Sequence, residues 1–270
     1  MPRAFWNGAI SFGMVVIPVK MYVATQIRTI SFRLLHKKCL TRPKQVYYCE
    51  HDNEHFGSEE MLRGYEYTKG QYVVMDENDF KKVPVKTAHL IDIVGFVNTG
   101  DIDPIYFHGC HYLMPEELGK KPFFLLKKAL EKTQRVGIAK VSFSKREHLC
   151  CLRPFEDTLA LHTMHYLNEV LPREEIAPPK EEAAGKEFEM ATDLVNARAI
   201  KFKAEEYHDE YRAALEKVVE AKVKGEEIKV PKAPKIQVGD LMSALKASIE
   251  AAKKESESRE PALVGGGKRK

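Results

Sequence analysis

The sequence predicts a mixed, β-dominated fold: a barrel or sandwich of short strands with helical insertions, followed by an α-helical C-terminal region. Short runs in which apolar side chains alternate with polar or small ones recur up to Met164, and turn residues separate them. After Pro172 the apolar residues recur instead at three- and four-residue spacing, which indicates helices. The chain is long enough for one large domain or two smaller ones.

The chain begins with two predicted strands in residues 4–25, AFWNGAISFGMVVIPVKMYVAT. Gly8, Gly13 and Pro18 interrupt the alternation, and glycine inside a strand marks a bend or a close approach of two backbones. We therefore expect two consecutive strands joined by a tight bend. Further short strands are predicted at residues 30–35, 45–48, 71–75, 89–97 and 105–114, and short helices at residues 58–63 and 76–82.

Residues 120–172 contain the clearest pattern. A helix is predicted first, because Phe123, Leu126 and Leu130 fall on one of its faces. Three alternating runs follow at residues 136–143, 148–152 and 159–164, divided by turn-like clusters at residues 144–146 and 154–157. This order is typical of an antiparallel meander.

The region after Pro172 is predicted to be helical. Two helices are expected at residues 187–199 and 204–224, with Gly225 ending the second, and a last amphipathic helix at residues 239–254. A Pro/Lys linker at residues 230–235 precedes that helix, and residues 265–270, GGGKRK, form a basic tail. The predicted domains are residues 1–172, the barrel with an arm inserted at about 30–65; residues 173–229, a helical arm; and residues 230–270, the linker, helix and tail.

Positive charge is concentrated in two blocks, although the net charge is only +4. Residues 1–50 carry eight lysines and arginines against one glutamate, and residues 120–153 carry ten against two, while residues 51–119 and 154–230 are acidic. A predicted sheet with so few carboxylate partners of its own is suited to hold a polyanion. Ordinary solvated lysines are the alternative. The candidate nucleic-acid contacts in these blocks are Lys37, Lys38, Arg42, Lys44, Lys120, Lys121, Lys145 and Arg146.

Composition excludes some classes of protein. No run approaches the roughly 18 to 20 consecutive apolar residues that span a bilayer, and the start of the chain lacks the apolar core of a signal peptide, so we expect a cytoplasmic protein without a membrane partner. Five cysteines form an odd set, which argues against a secreted disulfide framework and leaves metal ligation or buried thiols.

Two clusters of histidine and cysteine predict a metal site in the first basic block. His36 and Cys39 form one cluster, and Cys49 with His51 forms the other, with Asp52 or His55 as alternatives for the fourth ligand. Tetrahedral Zn²⁺ is bound by two such tight turns in zinc ribbons. The metal would be structural rather than catalytic. Free thiols beside surface histidines are the alternative, and no cofactor is required.

Patterns typical of catalysis are otherwise missing from the sequence. No Gly-rich phosphate loop, GxSxG or HExxH motif occurs. His162, His165 and Glu169 could suggest a ligand trio, but histidines in an alternating apolar segment are more often core or surface residues. Cys150 and Cys151 should point to opposite faces of one strand. We expect a protein without enzymatic activity.

Four segments resemble the prokaryotic Ku family: AFWNGAISFGMVVIPVKMYVAT, RGYEYTKGQYVVM, VGIAKVSFSKREHLCCLRP and DLMSALKASIE. The similarity extends from Arg3 to about Glu250. It implies a β-barrel core with long looped arms, which in a homodimer form a ring that threads duplex DNA through contacts to sugar and phosphate. It also implies binding of broken DNA ends at the nucleoid in non-homologous end joining, and recruitment of the multifunctional ATP-dependent DNA ligase D.

The resemblance also concerns the arm and the dimer. The bridge arm of the family has been likened to a zinc ribbon, which corresponds to residues 36–55 here, but Asp52 stands where a second cysteine of a C-x₂-C pair would be. Dimerisation is expected to use the helix and strands after Pro122, where Phe123, Phe124 and Leu126 are apolar. Two other functions remain open: a metal-dependent nuclease built on the His/Cys residues, and a scaffold that recruits proteins through residues 239–254.

Overall fold

The computed structural model describes residues 3–83, 87, 89–144, 146–173, 176, 185–226 and 241–259. The chain divides into two compact units, Met1–Arg173 and Glu174–Lys270. Lys145, the predicted linker at residues 230–235 and the tail at residues 265–270 lie outside the described residues.

The first unit contains all the strands that the described residues form. They are β1 (Trp6–Phe12), β2 (Val15–Val23), β3 (Tyr47–Cys49), β4 (Glu54–Phe56), β5 (Arg63–Thr68), β6 (Gln71–Met75), β7 (Leu90–Asn98), β8 (Phe107–Pro115), β9 (Arg135–Phe143), β10 (Arg146–Phe155) and β11 (Thr158–Met164). The α-helices of the described residues are α1 (Glu77–Lys81), α2 (Lys120–Thr133), α3 (Lys186–Ala197), α4 (Glu210–Lys224) and α5 (Leu241–Arg259).

Within the described part of the chain, seven strands close into a barrel in the order β1-β2-β8-β11-β10-β9-β7. Neighbouring strands are antiparallel except β1 and β7, whose parallel pairing from Ala9 and Leu90 closes the barrel. Gly13, at φ +60°, lies in the two-residue turn between β1 and β2. The β-dominated barrel that the sequence predicts is therefore confirmed, including the meander β9-β10-β11.

Alternation along the strands fills the barrel with apolar side chains. Ile17, Val19 and Met21 of β2 are fully buried in the core, as are Leu159 and Leu161 of β11. Intervening side chains face outward, as a two-residue period requires.

Helix α2 packs against the barrel strands β2, β9, β10 and β11. Its predicted apolar face is confirmed, since Phe123, Leu126 and Leu130 are all buried in the barrel core. Phe123 and Leu126 are thus unavailable to a dimer interface, whereas Phe124 and Leu125 remain exposed.

A second apolar cluster lies on the outer side of the barrel. Val136, Cys151 and Met164 are buried there beneath Ile102 and Tyr106, which belong to the connection between β7 and β8. Cys150 instead belongs to the interior core, so the prediction that the two adjacent cysteines face opposite sides is confirmed. Burial raises the pKa of Cys151 to about 11 and that of Cys150 further still, so both thiols stay protonated.

The arm consists of the chain between β2 and β7. Its hairpins β3-β4 and β5-β6 share no strand pairing with the barrel among the described residues. The predicted strand at residues 30–35 is wrong: apart from the half-buried Ile30 the stretch is exposed, and it is irregular because no strand among the described residues pairs with it. The predicted helix at residues 58–63 is only a 3₁₀ turn, Ser58–Glu60, and β5 follows it.

The second unit is helical, as predicted. Helix α3 packs against α5, where Ala252 is buried. Helix α4 starts later than predicted, because the Asp209 side chain accepts a hydrogen bond from the backbone N–H of Arg212 and caps it. Gly225, in the left-handed conformation, ends α4. No helix among the described residues is long and apolar enough to cross a bilayer.

Candidate nucleic-acid interface

The first basic block occupies an exposed turn and the extended chain after it. The backbone N–H of His36 donates to the carbonyl of Thr41 at 2.8 Å, and that of Leu40 donates to the carbonyl of His36 at 2.8 Å. Lys37 and Lys38 lie within this turn, and Arg42 and Lys44 follow it. All four cations are exposed, and none is ion-paired with a carboxylate in the part of the chain that the structure describes.

The second basic block is ion-paired in part, contrary to the expectation from its local charge. Lys120 contacts the Glu117 carboxylate at 2.7 Å, and Arg146 donates to the Glu169 carboxylate. Glu117 and Glu169 lie outside the block in sequence, which is why a local charge count misses them. Of the four cations predicted here, Lys121 is exposed and has no ion pair within the described residues, and Lys145 lies outside them.

Two further cations of this block are also neutralised. Lys127 is buried and contacts the Glu131 carboxylate at 2.5 Å, and Lys140 contacts Glu147 at 3.2 Å. Lys127 is too buried to be presented to a phosphate. Lys140 is partly exposed, and a phosphate could compete for it because surface ion pairs are weak. Both pairs nevertheless reduce the positive charge of the block when no ligand is bound.

The exposed side of α2 carries a stripe of three lysines, of which the candidate set included only Lys121. Lys121, Lys128 and Lys132 are spaced by seven and four residues, so they project from one face of the helix over roughly 16 Å. Each is exposed and lacks an ion pair among the described residues. The sequence shows the helical spacing of these lysines, but it does not show which lysines of the block form ion pairs with carboxylates.

The predicted metal ligands form two separate pairs. The His36 Nδ1 atom lies 3.0 Å from the Cys39 Sγ atom, which also lies 2.9 Å from the Thr41 hydroxyl. In the second pair the Cys49 thiol donates to the Asp52 carboxylate at 3.3 Å. His51 contacts the other Asp52 oxygen at 2.9 Å.

Hairpin register separates His55 from Cys49. Cys49 is paired across the hairpin with Glu54, whereas His55 is paired with Tyr48 and therefore lies on the other face. The Thr41 and His36 hydrogen bonds lower the pKa of Cys39 to about 7, which favours the thiolate that a metal requires.

The donor chemistry therefore suits zinc, but the geometry does not. Within the described residues, no three His, Cys, Asp or Glu side chains converge on a point where they could hold a metal ion. Each thiol instead forms its hydrogen bonds with residues of its own turn.

His162 of β11 and His165, which follows that strand, do not form a catalytic trio with Glu169 either. His162 accepts a hydrogen bond from Arg153 Nε at 2.9 Å, whereas His165 faces the Glu169 carboxylate at 3.8 Å, and Glu169 is already bound to Arg146. Burial and the Arg153 charge lower the pKa of His162, so its ring stays neutral. These contacts are those of structural side chains.

The fold and this site define a class: a β-barrel protein with a cationic arm, whose exposed unpaired charges suit a polyanion. The model of the Ku70/Ku80 beta-barrel domain matches residues 11–190. The chain therefore belongs to the Ku family.

Curated relatives agree with this family. The chain is 42% identical over 271 residues to the non-homologous end joining protein Ku of Solibacter usitatus, covering 100% of this chain and 99% of that protein. It is 38% identical to the protein of that name from Archaeoglobus fulgidus, covering 93% and 100% of the two chains. It is 36% identical to the one from Bacillus subtilis, covering 92% and 82%.

Proposed function

We propose that this protein binds the ends of double-stranded DNA without reading their sequence, and acts in double-strand break repair by non-homologous end joining. The observation that carries the proposal is the cationic arm, in which Lys37, Lys38, Arg42 and Lys44 are exposed and free of carboxylate partners in the described region. Membership in the Ku family supports the same function.

The proposed complex is a homodimer whose two barrels and arms form a ring around the duplex. A closed ring can load only where DNA has an end, so preference for ends needs neither base contacts nor a catalytic residue. Affinity comes from lysines and arginines that displace counterions from phosphates, and these contacts carry no sequence information. The exposed Phe124 and Leu125 of α2 are candidate dimer contacts.

The chain is proposed to act without catalysis, as the clamp that recruits a DNA ligase, the multifunctional ligase D, to the broken end. The helical second unit is the candidate surface for recruitment, because helices α3 and α4 leave Phe188, Val195, Tyr211 and Val223 exposed. Deletion of residues 231–270 tests whether α5, the last helix of the second unit, takes part in ligase recruitment. Loss of ligase stimulation with unchanged DNA affinity would support this role, and unchanged stimulation would exclude that helix from it.

Threading is tested with one duplex prepared in three forms: linear, covalently closed circular, and linear with both ends blocked by biotin and streptavidin. We expect tight binding to the open linear form alone, weakening steeply between 50 and roughly 200 mM salt. Equal binding to the circular form would reject the ring and leave a general basic DNA-binding scaffold. The ring would also be rejected if the protein bound the blocked linear form as tightly as the open linear form.

A further inference from the structure

A surface groove lies on the outer side of the barrel, and none of the four arm cations Lys37, Lys38, Arg42 and Lys44 lines it. It has a volume of about 540 Å³ and is formed by the end of β2, by β8 and by the turn between β10 and β11. This size falls within the roughly 300–1,000 Å³ of small-ligand sites. Its lining residues are Tyr22, Val23, Tyr112, Met114, Phe155, Glu156, Asp157 and Thr158.

Strand register produces the aromatic walls of the groove. Tyr22 and Tyr112 are direct partners across β2 and β8, so both rings leave the outer face side by side. Tyr112 is in turn paired with Ala160, whose small side chain leaves space beside the rings. Phe155 stacks on Tyr112 with ring centroids 5.8 Å apart and interplanar angle 22°. Val23 and Met114 are exposed apolar side chains of the same groove.

The rim of the groove is acidic, although the neighbouring sequence is basic. Glu156 and Asp157 are exposed, and neither forms an ion pair with any residue that the structure describes. They are the two residues of the tight turn between Phe155 and Thr158. Glu156 adopts φ +46°, a left-handed conformation that favours glycine or asparagine, so a glutamate here is kept at a cost in backbone strain.

Aromatic walls beside free carboxylates match one kind of side chain. A lysine or arginine is attracted by the face of an aromatic ring and by a carboxylate, and its aliphatic stem packs on apolar surface. The groove already shows this preference nearby, since the Arg153 guanidinium carbon lies 5.1 Å from the centre of the Phe155 ring. A DNA phosphate would instead be repelled by Glu156 and Asp157.

We infer that this groove binds a peptide segment of a partner protein in which a lysine or arginine adjoins a large apolar residue. The tyrosines and Phe155 hold the stem and the apolar neighbour, and the two carboxylates hold the charge. This binding site goes beyond the proposed DNA-end binding and does not depend on it.

The test uses the full chain with ¹³C-labelled methionine methyl groups, because Met114 lines the groove. The probe is a blocked pentapeptide with a central lysine flanked by leucines, and its matched control has glutamate at the centre. We expect the lysine peptide to shift the Met114 resonance, with at least tenfold weaker binding of the glutamate peptide. The resonance of Met14, which is fully exposed and lies outside the groove, should not move.

Variants distinguish this groove from a general acidic surface. Asp157→Asn and Tyr112→Ala should each weaken the lysine peptide at least fivefold, whereas Glu59→Gln and Tyr65→Ala, exposed side chains of the arm, should not. Glu156→Gly should weaken binding while leaving the urea unfolding midpoint unchanged or higher, because glycine relieves the left-handed strain. Linear DNA should bind all of these variants alike.

Three outcomes would overturn the inference. The first is equal binding of the lysine and glutamate peptides, and the second is a Met114 resonance that neither peptide shifts. The third is a change in the Met114 resonance on removal of residues 261–270, which would assign the groove to the basic end of this chain itself.

Discussion

The imidazole ring of His148 stacks on the phenyl ring of Phe143, with ring centroids 4.1 Å apart and an interplanar angle of 16°. His111 contacts the same phenyl ring edge-on at 5.7 Å, and Phe5 lies against both Phe143 and His111. His111 is paired across neighbouring strands with Leu161, and His148 is paired with Val141. Leu161 and Val141 both belong to the barrel core. Both histidines are therefore directed toward the barrel interior.

Burial at this position lowers the pKa of both histidines. Removal from water is the largest cause for each. His108 adds an unfavourable positive charge near both rings, Arg146 adds another near His148, and Glu169 opposes them at His148. His111 Nδ1 and His148 Nε2 are buried without a hydrogen-bond partner among the described residues, so protonation of either would place an uncompensated N–H in the protein.

We expect the free energy of unfolding to fall as the pH drops below about 6.5, the usual pKa of an unfolded histidine. In that range the unfolded chain binds more protons than the folded one, so stability rises with pH. Above about pH 7.5 both states carry neutral rings and the effect vanishes. Urea unfolding at pH 5.5 and 7.5 measures this difference.

His148→Phe should reduce the loss of stability at acidic pH, because the variant keeps the stacking and removes the titration. His208→Gln, which alters an exposed histidine of the second unit, should leave the pH dependence unchanged. A pH dependence that is identical in His148→Phe and the parent protein would show that His148 does not cause the loss.

The arm cations should account for much of the salt dependence of DNA binding. Replacing Lys37, Lys38, Arg42 and Lys44 with glutamine should lower the slope of log K against log salt by about 0.9 for each lost phosphate contact, to the same extent on unrelated duplexes. Lys82→Gln is the control, because that arm lysine is already paired with Asp79 at 2.9 Å. An unchanged slope in the fourfold variant would remove the arm from the interface.

Neighbouring lysines of α2 provide a finer comparison. Lys121→Gln should weaken DNA binding more than Lys120→Gln, because Lys120 is already neutralised by Glu117 whereas Lys121 has no ion pair in the described region. Fluorescence anisotropy with a labelled linear duplex measures both variants. Equal losses of DNA affinity would show that the Lys120–Glu117 pair opens when DNA binds. A larger loss of affinity in Lys120→Gln would reject Lys121 as the stronger DNA contact of the two.

Removal of metal should leave DNA binding intact, because the two candidate ligand pairs are separate in the structure. We expect the same DNA affinity before and after treatment with 1,10-phenanthroline and dialysis, and the same affinity for Cys39→Ser. A loss of affinity on chelation, reversed by Zn²⁺ and absent from Cys39→Ser, would instead establish a structural zinc site in the arm.

Local patterns predicted the parts of the fold that local interactions determine. The meander β9-β10-β11 needs only alternation and short turns, and both are visible in residues 135–164. The alternation of Ile30, Phe32 and Leu34 led to the wrong prediction of a strand. A strand also requires a neighbouring strand to pair with, and this stretch has none within the described residues. The parallel closure of β1 on β7 joins residues about 80 positions apart, which no local pattern reveals.

The candidate site was predictable to a smaller extent. Its cationic character follows from composition, and the exposure of Lys37 and Lys38 follows from their position in a polar turn. Which lysines stay unpaired depends on carboxylates that the fold brings from elsewhere, as Glu169 is brought to Arg146. Helical spacing, by contrast, was enough to place Phe123 on the buried face of α2, whereas the neighbouring Phe124 is exposed.

Closure of the barrel depends on a close approach at Gly8. A Cβ atom added there would lie 2.4 Å from the His89 carbonyl oxygen and 2.4 Å from the Trp6 ring. The same His89 carbonyl accepts the backbone N–H of Ala9 at 3.0 Å, so it cannot retreat without weakening the pairing of β1 with β7. Gly8→Ala should therefore destabilise the protein by about 1–3 kcal/mol, as overpacking does.

Gly95→Ala is the matched control, because Gly95 lies in β7 and an added Cβ atom would meet nothing within 4 Å. Urea unfolding monitored by far-UV circular dichroism should show a lower midpoint for Gly8→Ala and a nearly unchanged one for Gly95→Ala. If the two variants unfold at the same urea concentration, the β1–β7 seam tolerates a methyl group at Gly8. Barrel closure would then rest on the interior packing of Ile10 and Ile91 rather than on this close backbone contact.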